Sequence, residues 1–154
     1  MDDIVLRSIA RWPGVPAVYG WLSLDRRGRW RIKGETIANA ALREFIARNY
    51  QADERGRWFF QNGPQRVFVR LEYTPLVVRF EGDGLVDQCG RPFPAASPLA
   101  DEEGCVLFPG SGTIALLDDR DLMRFSDSPA AAGLPVKARA DIPREYGFVP
   151  DPRP

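Results

Sequence analysis

The chain has no histidine among its 154 residues. That single absence removes Ser-His-Asp triads, Cys-His pairs, His-containing zinc sites and imidazole proton shuttles, so any catalysis would fall to carboxylates, Tyr, Lys or Cys. Lysine is nearly missing as well: of 21 basic residues only Lys33 and Lys137 are not arginine, and abundant Arg, Ala, Gly and Pro beside scarce Lys fits a GC-rich coding sequence. Net charge is also lacking. Twenty-one basic side chains balance 21 acidic ones, leaving no overall field toward nucleic acid, anionic membranes or acidic substrates. Cysteine is reduced to Cys89 and Cys105, too few to close a structural zinc site and without CxxC spacing, so both are expected as free thiols on neighbouring strands. No apolar run is long enough to span a bilayer and no secretory segment is evident; a cytoplasmic protein with no cofactor is expected.

What is present is a recurring turn. Asp25-Arg26-Arg27-Gly28, Asp53-Glu54-Arg55-Gly56 and Asp101-Glu102-Glu103-Gly104 share one plan: an Asp whose side chain closes a turn, two solvated charges, and a Gly supplying the positive φ of a turn with a bulge. Each delivers the chain into an apolar stretch, and Leu22 and Leu24 before the first turn face Trp30 and Ile32 after it. Uneven spacing points to a repeated hairpin rather than a solenoid.

One main helix is expected over about residues 39–50, capped by Asn39, with Leu42, Phe45, Ile46 and Tyr50 on its inner stripe and Glu44 and Arg48 as an exposed pair. A short helix is expected over residues 2–12. Ala17 to Leu24 reads as extended, and Val67 to Glu81, interrupted at Thr74-Pro75, reads as a meander. A further hairpin turns at Pro109-Gly110-Ser111-Gly112, and a short helix is expected from Asp118 to Phe125. The fold class is therefore α+β: residues 1–125 form one domain of antiparallel hairpins with a helix packed on the sheet. Residues 126–154, rich in Pro and Ala, form an extended or partly disordered tail that Ile142, Tyr146, Phe148 and Val149 can dock.

Two groups of side chains are candidate sites. Asn62, Gln65 and Arg66, in the polar segment joining two apolar strands, with Trp21 nearby, offer amides, a guanidinium and a ring for a small polar or anionic ligand, although Asn-Gly and Gly-Pro equally make an ordinary hairpin turn. Asp118, Asp119 and Asp121 could hold Mg²⁺ or Ca²⁺, or simply cap a helix and complement its dipole. Trp12, Trp21, Trp30 and Trp58 with interleaved arginines could stack nucleic-acid bases, but tryptophans directly after turns are more often core. No dinucleotide, P-loop, nucleophile-elbow or HExxH pattern occurs.

Trp21, Asp25, Gly28, Trp30, Gly34-Glu35-Thr36-Ile37, Phe45, Asp53, Gly56, Trp58, Val67, Val69, Glu72 and Pro75 resemble, in order, an uncharacterised proteobacterial family of proteins about this size. Residues 21–80 are also similar to a second such family. That second resemblance implies an α+β fold with repeated motifs and a role in ligand binding or signal transduction; where that family carries a TP.E stretch, this chain has Asn62-Gly63-Pro64-Gln65. The expected function is a non-enzymatic ligand-binding or regulatory module acting on a small ligand or protein partner. The alternatives are a Mg²⁺-dependent carboxylate enzyme and, more weakly, a nucleic-acid binder.

Overall fold

The computed structural model describes residues 13–154, so the helix expected over residues 2–12 lies outside the described region. Twelve strands form two six-stranded sheets. The first holds β1 (Ala17–Leu24), β2 (Trp30–Ile32), β3 (Glu35–Thr36), β4 (Tyr50–Ala52), β5 (Trp58–Asn62) and β6 (Gln65–Leu71), in the order β3-β2-β1-β6-β5-β4. The second holds β7 (Leu76–Glu81), β8 (Gly84–Asp87), β9 (Pro92–Phe93), β10 (Leu99–Ala100), β11 (Val106–Gly110) and β12 (Thr113–Leu117), in the order β9-β8-β7-β12-β11-β10. The two orders are the same. In each sheet a parallel pair, β1 with β6 or β7 with β12, sits at the centre and antiparallel hairpins extend it outward.

The local chemistry of the turns builds these hairpins. Asp25 and Asp53 close β1–β2 and β4–β5, Asp101 closes β10–β11, and a fourth copy, Asp87-Gln88-Cys89-Gly90, closes β8–β9. In all four, Oδ1 of the Asp accepts the N–H groups two and four residues on, at 2.8–3.1 Å. The fourth residue is Gly28, Gly56, Gly90 or Gly104, with φ between 76° and 83°, a conformation costly for residues with a Cβ. The hairpin register then pairs Leu22 with Ile32 and Leu24 with Trp30, as the alternation predicts.

The meander expected over Val67 to Glu81 is not formed. β6 and β7 lie in different sheets, because Thr74-Pro75 carries the chain across: Thr74 Oγ1 donates to Leu76 O and accepts from Leu116 N, while Pro75 O accepts from the Tyr50 hydroxyl at 2.7 Å. Cys89 and Cys105 are free, and their strands are not neighbours, since β12 and β7 intervene between β8 and β11.

Side chains from both sheets join one apolar core. Tyr50 anchors it, with Trp30 edge-on at 4.7 Å and Trp58 tilted at 4.9 Å. All five residues of β12 are buried, as a strand covered on both faces requires. Helix α1 (Ala40–Arg48) starts at Asn39, whose Oδ1 accepts Leu42 N at 2.8 Å, and buries Leu42 and Ile46. Its C-terminal end is tied to the second sheet by Arg91, which donates to Ala47 O and Tyr50 O. The expected Glu44–Arg48 ion pair is not among those the described residues make. Among the described residues, helix α2 (Leu122–Ser126), helix α3 (Ile142–Tyr146) and three single 3₁₀ turns share the helical content, so this region is strand-rich with short helices rather than organised on one main helix.

Residues 126–154, expected as an extended or partly disordered tail, lie against both sheets. Ile142 and Phe148 are buried, Val149 N donates to Gly56 O, Leu71 N donates to Pro150 O, and residues 135–137 flank β10 through two backbone hydrogen bonds at Ala100. The two halves differ in one place that matters. Between β3 and β4 lies α1; at the corresponding place between β9 and β10, residues 94–98 form no helix and instead bond back onto β11, with Ala96 N donating to Pro109 O at 2.8 Å.

Candidate functional site

Where only one half carries a helix, a groove opens. Helix α1, the Asp25 turn and the Asp87 turn enclose about 450 Å³. Gly28 and Gln88, from the two sheets, touch at its base: a Cβ on Gly28 would stand 2.8 Å from the Gln88 Cβ. Gln88 is itself fixed, its Oε1 accepting Val77 N at 2.9 Å and its Nε2 donating to Pro75 O at 3.0 Å. The base is rigid because local turn bonds and these amide bonds hold it from both sides.

The walls are basic. Arg29 comes from the Asp25 turn, Arg43 and Arg48 from α1, and Arg79 from β7, against the single acidic side chain Glu44. Arg29 Nε donates to Asp25 Oδ2 at 2.7 Å and an Arg79 Nη nitrogen to Glu81 at 3.3 Å, which leaves other N–H groups of each guanidinium uncommitted. Arg43 and Arg48 are exposed and make no ion pair with a described residue. Burial works to raise the Asp25 carboxyl, but the N–H and guanidinium of Arg29 and the N–H of Arg27 outweigh it and hold the group below the usual carboxylate range, so Arg29 keeps its orienting partner at neutral pH. Cys89 also lines the groove, and burial, reinforced by Asp87, pushes its thiol up to about 12. It stays protonated and unreactive at neutral pH. The lining thus carries four arginines, a residue type whose paired N–H groups match phosphate and carboxylate oxygens.

The residues singled out in the sequence are placed elsewhere. Asn62 and Gln65 end the β5–β6 hairpin, bonded to each other at 3.1 Å, and Gln65 Nε2 donates to Pro13 O and Val15 O at 2.7 Å, fastening the entry segment. The Arg66 guanidinium lies 4.5 Å over the Phe59 ring, and Trp21 lies under Lys33 Nζ at 3.9 Å. Among the described residues these side chains have partners within the chain, and none of the four lines the groove beside α1. The acidic cluster is likewise dispersed: Arg120 forks onto Asp118, Arg27 binds Asp119, and Asp121 Oδ2 accepts Phe80 N at 2.7 Å. Arg120 holds Asp118 below the usual carboxylate range although burial opposes it. The three carboxylates thus have three separate partners, in the 3₁₀ turn, the Asp25 turn and β7, and among the described residues they do not form one ligand cluster.

Asp101, Glu103 and Cys105 do bring ligand-type atoms within 4.8 Å of one another. Each is already engaged. Asp101 Oδ2 accepts the Tyr73 hydroxyl at 2.8 Å, Glu103 faces Arg26 and Arg139, and a guanidinium N–H of Arg26 reaches Cys105 Sγ at 3.7 Å. With Arg139 stacked 4.5 Å over Tyr73, this knot fastens the tail.

Sequence reasoning missed Arg43, Arg48 and Arg79. A faint signal existed: Arg43 and Arg48 flank the inner stripe of α1, and Arg79 interrupts the apolar run of β7.

A model of a family described as "Protein of unknown function (DUF2946)" matches residues 1–153. The chain belongs to that family. The residues that resembled an uncharacterised family thus led to one. None of the curated proteins compared with the chain matches it. Two solved structures share the fold. A DUF1285 family protein from Shewanella baltica OS155 is 16% identical with a TM-score of 0.53, over 70% of this chain and 91% of its own. A DUF1285 family protein from Silicibacter pomeroyi DSS-3 is 17% identical with a TM-score of 0.54, over 77% of this chain and 74% of its own.

Proposed function

We propose that the chain is a non-enzymatic, regulatory binding module that takes a small anionic ligand in the groove between α1 and the Asp25 and Asp87 turns. The carrying observation is charge placement: in a protein of zero net charge, four arginines line this groove against one glutamate, and two of them make no ion pair with a described residue. Arginine recognises phosphate and carboxylate through paired N–H groups. A groove of about 450 Å³ suits a metabolite-sized ligand. The module is placed in the cytoplasm, and among the described residues no helix is long and apolar enough to cross a membrane.

Thermal shift at constant ionic strength tests this. A ligand at a hundred times its Kd stabilises the native state by about 2.7 kcal/mol, a rise of roughly 5–10 °C for a domain of this size. Phosphate, sulfate and citrate are expected to raise the wild-type Tm and to leave an Arg43→Ala/Arg48→Ala double variant unmoved. Equal responses in both proteins would refute the assignment.

A further inference from the structure

The groove's shape and charge specify more than "an anion". Ala40, Arg43, Glu44, Ala47 and Arg48 all line it, a stripe running the length of α1. From Ala40 to Arg48 that stripe extends about 12 Å, and Arg43 and Arg48 are offset by about 7.5 Å along the axis. Arg29 lies in the turn between two strands of the first sheet and Arg79 on β7 of the second, so basic residues from both sheets border the groove beside the helix. Arg29 and Arg79 already have Asp25 and Glu81 as partners, so the charge left for a ligand is that of Arg43 and Arg48, and a single phosphate or carboxylate held bidentately by one of them leaves the other unanswered. The small side chains Ala40 and Ala47 leave room for an uncharged body between charged ends. Glu44, without an ion-pair partner among the described residues, is an acceptor for a hydroxyl or N–H of that body.

Resting on the anion-site reading, we propose that the ligand is an elongated polyanion with at least two anionic groups, held at one end by Arg43 with Arg29 or Arg79 and at the other by Arg48. Its chemistry is that of spaced phosphoryl or carboxylate groups, as in a nucleoside diphosphate or a linear dicarboxylate. The ligand bridges the two sheets at the Gly28–Gln88 contact.

Calorimetric titration of the full chain at fixed ionic strength tests it with four probes: inorganic phosphate, pyrophosphate, ADP and adipate. At least one of the last three is expected to bind ten-fold or more tightly than phosphate. Arg43→Ala and Arg48→Ala are each expected to reduce that preference toward one, while Arg66→Ala, outside the groove, leaves it intact. Tighter ADP than adipate identifies a phosphoryl ligand, and the reverse identifies a dicarboxylate; either supports the proposal. Phosphate binding as tightly as every polyanion, with loss in Arg43→Ala, overturns the polyanion inference and leaves the anion site standing. No binding of any probe, or binding insensitive to Arg43 and Arg48, overturns both.

Discussion

Two glycines occupy the same place in the same turn and differ in one neighbour, which makes them a matched pair for the tail. Gly56 and Gly104 are each the fourth residue of an Asp turn, with φ of 77° and 83°. Around Gly104 a Cβ meets nothing within 4 Å; at Gly56 it would lie 2.0 Å from Gly147 O and 3.1 Å from the Phe148 Cα. Gly104→Ala therefore reports the backbone strain alone, about 1–2 kcal/mol for an L-residue in the left-handed region. Gly56→Ala adds eviction of residues 147–149. That forfeits the hydrogen bond from Val149 N to Gly56 O, worth about 0.5–1.5 kcal/mol, and part of the burial of Phe148, worth up to about 1.5–3 kcal/mol. The expected difference between the variants is about 2–4 kcal/mol, summed from those two contributions. Urea denaturation gives the difference directly. Hydrogen exchange locates it, since the Leu71 amide, bonded to Pro150 O, should lose protection in Gly56→Ala and keep it in Gly104→Ala. Equal midpoints for the two variants would refute a tail docked on the Asp53 turn.

Other outcomes follow from the same bonds. Asp25, Asp53, Asp101 and Asp118 are all held below the ordinary carboxylate range in the folded protein, against the pull of burial, by N–H groups together with arginines or Tyr73. A depressed folded pKa stabilises above the unfolded value, about 3.9 for Asp, and that stability is lost as pH falls through the folded value. The urea midpoint should be flat above about pH 5 and drop steeply below about pH 4, and Asp53→Asn should lower the plateau while softening the drop. An unchanged acid limb in Asp53→Asn would contradict the assignment. Thr113 Oγ1 is buried without a hydrogen-bond partner among the described residues, so Thr113→Val should be neutral or stabilising by up to about 1 kcal/mol in the same assay, and a clear loss would reveal a partner. Arg91→Ala removes the ties from the Asp87 turn to the end of α1; exchange of the last-turn amides of α1 should quicken, and unchanged protection would show that the helix is held without it.

What could be read from the sequence was what local physics decides. An Asp side chain bonding N–H groups two and four residues ahead needs nothing from the rest of the chain, so three Asp turns and the Leu24–Trp30 register were visible. The fourth, at Asp87, carries the same bonds but leads into Pro92-Phe93-Pro94, where prolines hide the alternation that marked the others. Pairing of β1 with β6 was not visible, because a parallel pair joins segments with a long crossover between them and leaves no local signature. The same holds for the groove. Its base depends on Gly28 meeting Gln88, and its charge on Arg79 of one sheet facing Arg43 and Arg48 of a helix on the other. Conversely, Gln65 looked available because its partners Pro13 and Val15, some fifty residues away, are fixed only by the folded geometry, whereas the Arg120 partner of Asp118 is local.

A ¹H–¹⁵N chemical-shift titration of the full chain with pyrophosphate at constant ionic strength tests the proposed anion site directly. Saturable shifts confined to residues 28–30, 40–48, 79 and 88–90 are the predicted result, whereas no saturable shifts, or shifts centred on Asn62, Gln65 and Arg66, would contradict it.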